Sequence, residues 1–369
     1  MAAPGRPIAT RVAYGLSQLP RLAWYVGHGA IMRQLSRQAA RSAPARTRRA
    51  RTDGSVPDRW QLYADMAALF ARDLANVEAG VYPLPQDHDG RLPTLLTRSR
   101  LFFEDLPEVH RRRESGEYRQ VLTAQTQGKR PGYYLQNFHF QSGGWLTPES
   151  AQRYDTQVEV LFKGTANAIR RQALVPLQEL FAGRDQRRLR LADVGCGTGR
   201  FLDFVKQAWP RLPALGIDMS DAYLAEARRH LRRWGWIDLL VAKGEAVPLG
   251  DASQDAVTSI FLLHELPPEV RHIVFRECAR VLKPGGRLVM VDSLQIGDEP
   301  SYDGMLELFP QSYHEPYYRS YLREDFAALA AVCGLEHVSD TNAFVAKVMV
   351  FDKPGASART RRAKSAPSN

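Results

Sequence analysis

Leu189-Arg190-Leu191-Ala192-Asp193-Val194-Gly195-Cys196-Gly197-Thr198-Gly199-Arg200 decides how this chain is read. Leu189, Leu191 and Val194 alternate as a buried strand does, and the run breaks at three glycines. A helical pattern starts at Phe201. Strand, glycine turn and helix together bring a ligand against bare backbone amides at a helix N-terminus. The spacing is G-x-G-x-G with Arg200 in the sixth place, so the dinucleotide fingerprint G-x-G-x-x-G is not met. A glycine-rich packing loop with no ligand is the plain alternative.

The residues that follow weigh against that alternative. Ala214–Asp218 is a second short strand ending in a carboxylate, about 20 residues past the glycines, where Rossmann-like folds place the acid that accepts from ribose hydroxyls. A helix is expected over 220–233 with Ser220 as N-cap. A third strand begins at Asp238 and leads to a turn holding Glu245. Asp255 opens a fourth strand that runs into His264-Glu265, and a helix follows over 268–282. Lys283-Pro284-Gly285-Gly286 reads as a helix stop, Arg287–Asp292 as the fifth strand. A helix over 323–333 and strands around 335–339 and 343–351 complete the alternation.

The glycine loop resembles the S-adenosylmethionine loop of class I methyltransferases, with Asp193 at the strand end. Ala279-Arg-Val-Leu-Lys-Pro-Gly-Gly-Arg-Leu288 is similar to the segment before strand five in the small-molecule members, nearest the ubiquinone/menaquinone C-methyltransferase type. The resemblance covers roughly 185–352. It implies an α/β, Rossmann-like, doubly wound seven-stranded sheet with an antiparallel last strand, preceded by an N-terminal helical accessory or lid region. It also implies S-adenosyl-L-methionine as cofactor. The contacts carried over are Asp193, Gly195, Cys196, Gly197, Thr198 and Gly199 in the loop, Asp218 and Met219 at the ribose, Glu245 with Ala246 near the adenine amino group, and Leu262. Cys196 reads as a small loop residue and not as a nucleophile.

Composition fits a core of this size: 369 residues, 44% hydrophobic, and three scattered cysteines without metal spacing, which suits a reducing compartment. Charge is uneven. Residues 1–52 hold ten arginines and no Asp, Glu or Lys, and the tail adds Arg359, Arg361, Arg362 and Lys364. The net charge of +10 therefore belongs to the ends. The expected division is a basic flexible leader (1–56), a helical accessory or lid region (57–150), a methyltransferase domain (151–355) and a disordered basic tail (356–369). In the leader, Ile8, Val12, Leu16, Leu19, Leu22, Val26, Met32 and Leu35 recur at roughly helical spacing, although Gly15, Pro20, Gly27 and Gly29 weaken one continuous helix. Three readings stay open: a helix lying on an anionic membrane surface, an organelle transit peptide, and a disordered arginine tail. They go with a cytoplasmic, a membrane-peripheral or an organelle-matrix location. No apolar run reaches the ~18–20 residues that span a bilayer. The body lacks the basic, aromatic-interleaved surface of a nucleic-acid reader, so nucleic acid is disfavoured as a partner.

Ahead of the core, a helix is expected over 58–78, capped by Asp58, and a second over 94–113. Tyr133–Trp145 is dense in aromatics and amides, and Thr147-Pro148 starts a helix carrying Tyr154 and Asp155. A further helix is expected over 165–181. This region is a lid over the site or a structural cap on the sheet. The sulfonium is already an activated leaving group, so a methyltransferase chiefly aligns acceptor and methyl and excludes water. A base is needed only when the acceptor must lose a proton. The carboxyl end of strand four points at that place, which makes His264 the first candidate base or acceptor contact, with Glu265 beside it. His139, Tyr154 and Tyr302 are second-rank candidates. No metal is expected: Pro267 and Pro268 break the helix that a His-Glu zinc motif needs, and position 268 is not histidine. The Asn/Asp-Pro-Pro-Tyr motif for amino groups of bases is absent after strand four. A carbon or oxygen of a small or lipid-like acceptor leads. A protein or RNA methyltransferase docking through its arginine-rich ends and a non-catalytic cofactor-binding protein remain as alternatives.

Overall fold

The structure is a computed structural model that describes residues 7–42, 52–87 and 89–355, with the backbone alone for residue 7 and residues 38–42. The expected tail, 356–369, lies outside the described residues.

Four helices lead in: α1 (Pro7–Ser42), α2 (Arg59–Glu78), α3 (Leu92–Ser115) and α4 (Pro148–Leu161). Their starts follow local chemistry. The Asp58 carboxylate accepts from the amides of Trp60 and Gln61, and the Thr147 hydroxyl accepts from that of Ser150. Two short helices, α5 (Ala166–Gln172) and α6 (Leu174–Phe181), stand where one was expected over 165–181. The break falls where Pro176 has no N–H to give the Gln172 carbonyl.

The sheet is built from β1 (Leu191–Val194), β2 (Ala214–Asp218), β3 (Ile237–Val241), β4 (Gln254–Ile260), β5 (Leu282–Ser293), β6 (Glu336–Ala343) and β7 (Ala346–Asp352). Their order is 3-2-1-4-5-7-6, parallel except that β7 runs antiparallel to both neighbours. β1 is buried along its whole length, as a central parallel strand with helices on both faces must be. On one face pack α5, α6, α7 (Arg200–Ala208) and α8 (Asp221–Leu231), through Ile169, Leu177, Leu202 and Leu224. On the other lie α9 (Pro268–Val281), α10 (Asp303–Ser312), α11 (Tyr318–Tyr321) and α12 (Phe326–Val332), through Val274, Phe275, Leu306, Tyr321 and Phe326. Strand order reverses between β1 and β4, and an open α/β sheet offers a crevice at that point.

Lys283–Gly286 does not separate helix from strand as expected. β5 starts at Leu282, and those residues form an irregularity, because Gln254 pairs Leu282 while Ala256 already pairs Arg287.

The leader departs most from its expectation. Residues 7–42 form one continuous helix in spite of Pro20, and its docking face is polar along Tyr14, Gln18 and Arg21 and apolar around Tyr25, Trp24 and Met32. Tyr14 donates to Asp73 (2.6 Å), Gln18 to Asp87 (2.6 Å) and Arg21 to Asp89 (2.7 Å), while His28 meets Ser99 at 2.8 Å. These partners hold α1 on the body, and Ile8, Val12, Leu16 and Leu19 are left facing outward. Among the described residues no helix is long and apolar enough to cross a membrane.

Gly199 shows what the glycine turn is for. Its φ is +76°, and a Cβ there would come within 2.8 Å of Leu231 and 3.2 Å of Ala227 on α8. Glycine thus lets α7 seat on α8. Gly199→Ala combines left-handed strain with overpacking and is expected to cost about 1–3 kcal/mol. An unchanged urea midpoint would contradict this.

Candidate active site

The crevice at the β1/β4 switch point is walled by the glycine turn, the ends of β2 and β4, and aromatic residues from 133–145. It holds about 830 Å³ of space and is open to solvent. Of the expected cofactor contacts, Gly195, Gly197, Asp218, Met219, Glu245 and Leu262 line it. Asp193, Cys196 and Thr198 line a small recess beside it. Gly199 and Ala246 line neither. Gly199 is spent on the α7–α8 contact, and the Ala246 amide closes a turn on the Lys243 carbonyl.

The loop amides are less bare than the sequence suggests. Gly195 and Cys196 donate to the Ile217 carbonyl (2.8 and 3.0 Å), Gly197 to the Asp218 carboxylate (2.9 Å) and Gly199 to the Cys196 carbonyl (2.9 Å). The glycines serve instead through left-handed φ and missing side chains, with Gly197 facing open space. Asp218 also accepts from the Ser220 amide (2.8 Å), which ties the loop to the start of α8. Burial pushes its carboxyl up, against the pull of those amides. Cys196 is buried, and its thiol is pushed well up by burial and by the charges of Asp218 and Asp193, so it is no nucleophile.

Asp193 accepts from the Thr258 hydroxyl at 2.6 Å, and its second oxygen has no partner. Burial pushes the carboxyl up to about 7; the Thr258 hydrogen bond opposes this and the charge of Asp218 adds to it. From pH 3.8 to about 7 the folded chain keeps a proton that the unfolded chain has released. The contribution of this group to stability is therefore full below about pH 4 and is lost as pH rises through 7. Asp193→Asn cannot ionise and is expected to gain on the parent by about 1–3 kcal/mol between pH 5 and pH 8. Urea titrations at the two pH values check it, and a pH-independent difference would contradict it.

The aromatic stretch lies over the crevice. Tyr133 reaches across the crevice to donate to Glu245 (2.5 Å), and the Ser220 hydroxyl donates to the Trp145 carbonyl (2.5 Å). Trp145 stacks on Phe138 and meets Tyr154 and Tyr223 edge-on. Sequence reading put Glu245 at this crevice and offered the polar-aromatic stretch 133–145 as an acceptor pocket; Tyr133 and Trp145 line the crevice itself, and Gly244 was not expected.

A second cavity adjoins the crevice and shares Tyr154, Phe261 and Glu265 with it. Its walls are apolar, with Leu62 from α2, Val158 and Leu161 from α4, and Met305 and Phe309 from α10. Its polar lining is His139, His264, Glu265 and Ser293, with Lys163 on the wall as well. Three of the four proposed catalytic residues, His139, Tyr154 and Glu265, thus meet His264 at one place. Tyr302 does not join them: it is buried and donates to Asp65 (2.8 Å) on α2.

His264, expected as a base or an acceptor contact, is held by a carboxylate. Its Nδ1 lies 2.5 Å from Asp292 at the end of β5. Burial alone would lower its pKa, but the charge and hydrogen bond of Asp292 overcome this and raise it to about 10. A pKa raised in this direction favours the imidazolium at neutral pH, with Nε2 3.7 Å from Glu265. Glu265 is pushed well above the carboxylate range by burial and then by the charge of Glu315. Burial likewise keeps the Tyr154 hydroxyl protonated. His139 sits in a left-handed turn (φ 53°) that aims Nε2 at Glu315, 2.9 Å away, with Glu265 at 3.8 Å. Neither Asp292 nor Glu315 was expected. A carboxylate ending the strand beside β4 was a readable signal for Asp292; Glu315, in an irregular loop, gave none.

A seven-stranded sheet in this order, with a glycine turn after β1 and an acid ending β2, defines the class I S-adenosylmethionine-dependent methyltransferase fold. Residues 192–290 match the family described as "Methyltransferase domain", and the chain carries that domain. It is 36% identical over 99 residues to a malonyl-[acyl-carrier protein] O-methyltransferase of Methylococcus capsulatus, covering 27% of this chain and 35% of that protein. It is 32% identical over 162 residues to a ubiquinone/menaquinone biosynthesis C-methyltransferase of Methylobacterium nodulans, covering 43% and 62%. The chain thus spans less than two thirds of these curated relatives. A solved S-adenosylmethionine-dependent methyltransferase of Aquifex aeolicus aligns at 16% identity with a TM-score of 0.41, covering 56% of this chain and 98% of that one. The cofactor of such a domain is S-adenosylmethionine, and the crevice fits it: a buried acid at β2, a second carboxylate at Glu245, and side-chain-free backbone at Gly197.

Proposed function

We propose that this protein transfers a methyl group from S-adenosylmethionine to carbon or oxygen of a small or lipid-like acceptor held in the second cavity. The observation that carries this is the shared wall of Tyr154, Phe261 and Glu265, which sets an apolar pocket with a polar end directly beside the cofactor crevice. Asp218, Glu245 and the glycine turn would hold the cofactor, which supplies an activated methyl. Tyr133, Phe138 and Trp145 close the crevice and exclude water. Paired with Asp292, the His264 imidazolium donates toward the acceptor and favours negative charge developing on it. The apolar walls suit a carbon skeleton, and the relatives named for carbon and oxygen methylation agree with that class.

Calorimetry separates this from other nucleotide chemistry. S-adenosylmethionine and its demethylated product S-adenosylhomocysteine are expected to bind one site and raise the melting temperature, whereas NAD and ATP do neither. Stabilisation by NAD alone would overturn the proposal.

A further inference from the structure

His139, Glu265 and Glu315 arrive at the acceptor cavity from three separate elements: the turn at 138–140, the segment between β4 and α9, and the loop between α10 and α11. One ligating atom from each lies within 4.8 Å of the others, a spacing that one ion could bridge. The Glu315 side chain is fully buried; neither oxygen makes a hydrogen bond of good geometry, although Oε1 lies 2.9 Å from His139 Nε2. The second oxygen of Glu265 and Nδ1 of His139 are also buried and unpartnered. Buried carboxylates left in this state are costly unless a cation faces them. The nearest ring nitrogens are His139 Nε2 beside Glu315 and His264 Nε2, 3.7 Å from Glu265, and His264 is itself paired with Asp292. Two carboxylates and one imidazole remain, and His139 is held toward them by a backbone conformation that non-glycine residues seldom adopt.

We infer that His139, Glu265 and Glu315 form a site for one divalent transition ion at the polar end of the acceptor cavity. One nitrogen and two oxygen donors suit Mn²⁺, Fe²⁺ or Zn²⁺. His139 and Glu265 line the cavity, so the coordination positions left open face the acceptor. The acceptor class this selects carries neighbouring oxygens, such as a hydroxyl beside a carbonyl, which chelate the ion. Coordination would orient that acceptor and make its hydroxyl easier to deprotonate. This deepens the methyltransferase reading and rests on it for the role of the ion, but not for the ion's binding.

Mn²⁺ titration of the purified full chain, followed by electron paramagnetic resonance, tests the site directly. One bound ion per chain is expected, with affinity falling roughly 100-fold in Glu315→Gln and in His139→Gln. Neither residue lines the cofactor crevice, so S-adenosylmethionine affinity and melting temperature of His139→Gln are expected to stay within about twofold and a few degrees. Equal Mn²⁺ affinity in parent and both variants, or no bound ion in the parent, overturns the site. A parent that binds Mn²⁺ but not S-adenosylmethionine keeps the site and sinks the methyltransferase reading, so the two failures are distinct.

Discussion

Asp218→Ala is expected to weaken S-adenosylmethionine binding by roughly 100-fold or more, read by calorimetry. The carboxylate has two tasks. It accepts the Gly197 and Ser220 amides, which pins the glycine turn to the start of α8, and it lines the crevice where the cofactor's ribose is expected. Hydrogen bonds to a charged acceptor are worth about 1.5–3 kcal/mol each, and losing them also leaves two amides without an acceptor. Asp218→Asn keeps one carbonyl oxygen of the same shape and is expected to lie between parent and Ala. A change under about fivefold in the Ala variant, with the fold intact by circular dichroism, would remove Asp218 from the cofactor site.

The second large effect concerns stability. Arg171 is almost fully buried, donates to both oxygens of Asp73 (2.6–3.1 Å) and reaches Asp87 at 2.8 Å. Asp73 also accepts from Tyr14 and Tyr82, and Asp87 from Gln18 and Asn167. One guanidinium therefore joins α1, α2, α5 and the loop before α3. Burial would push the Asp87 carboxyl up, but Arg171 and Arg21 hold it well below the usual carboxylate range. Arg171→Met leaves two buried carboxylates short of their cation, a change that typically costs about 3–5 kcal/mol. Urea unfolding measures that loss, and faster proteolysis within residues 7–42 would show that α1 depends on the cluster. Adding Asp73→Leu is expected to return part of the loss, because it removes one of the unpaired charges. A cost below about 1 kcal/mol would mean that α1 is held by something else.

The parts of the molecule legible in the sequence are those fixed by local pattern. β1, β2 and β4 showed themselves as apolar runs ending in Gly195, Asp218 and His264, and Ser220, Asp58 and Thr147 marked helix starts by their side-chain oxygens. The α1 interface was hidden because half of its buried face is polar. Tyr14, Gln18 and Arg21 find partners 59 to 69 residues away, and only the fold shows that those partners exist. The role of His264 was hidden for the same reason. Its meaning turns on Asp292, which is 28 residues distant and joins it only through the pairing of β4 with β5. The sequence offered the histidine as a base or an acceptor contact, and the Asp292 pairing that bears on that choice was not visible in it.

The most direct measurement is methyl transfer itself. The full chain is incubated with methyl-tritiated S-adenosylmethionine and a lysate, which is then divided into an organic extract and a polymer precipitate. Label in the organic extract, lost in Asp218→Ala, is the expected result. Label confined to protein or RNA, or binding without any labelled product, would contradict a small acceptor in the cavity beside Tyr154.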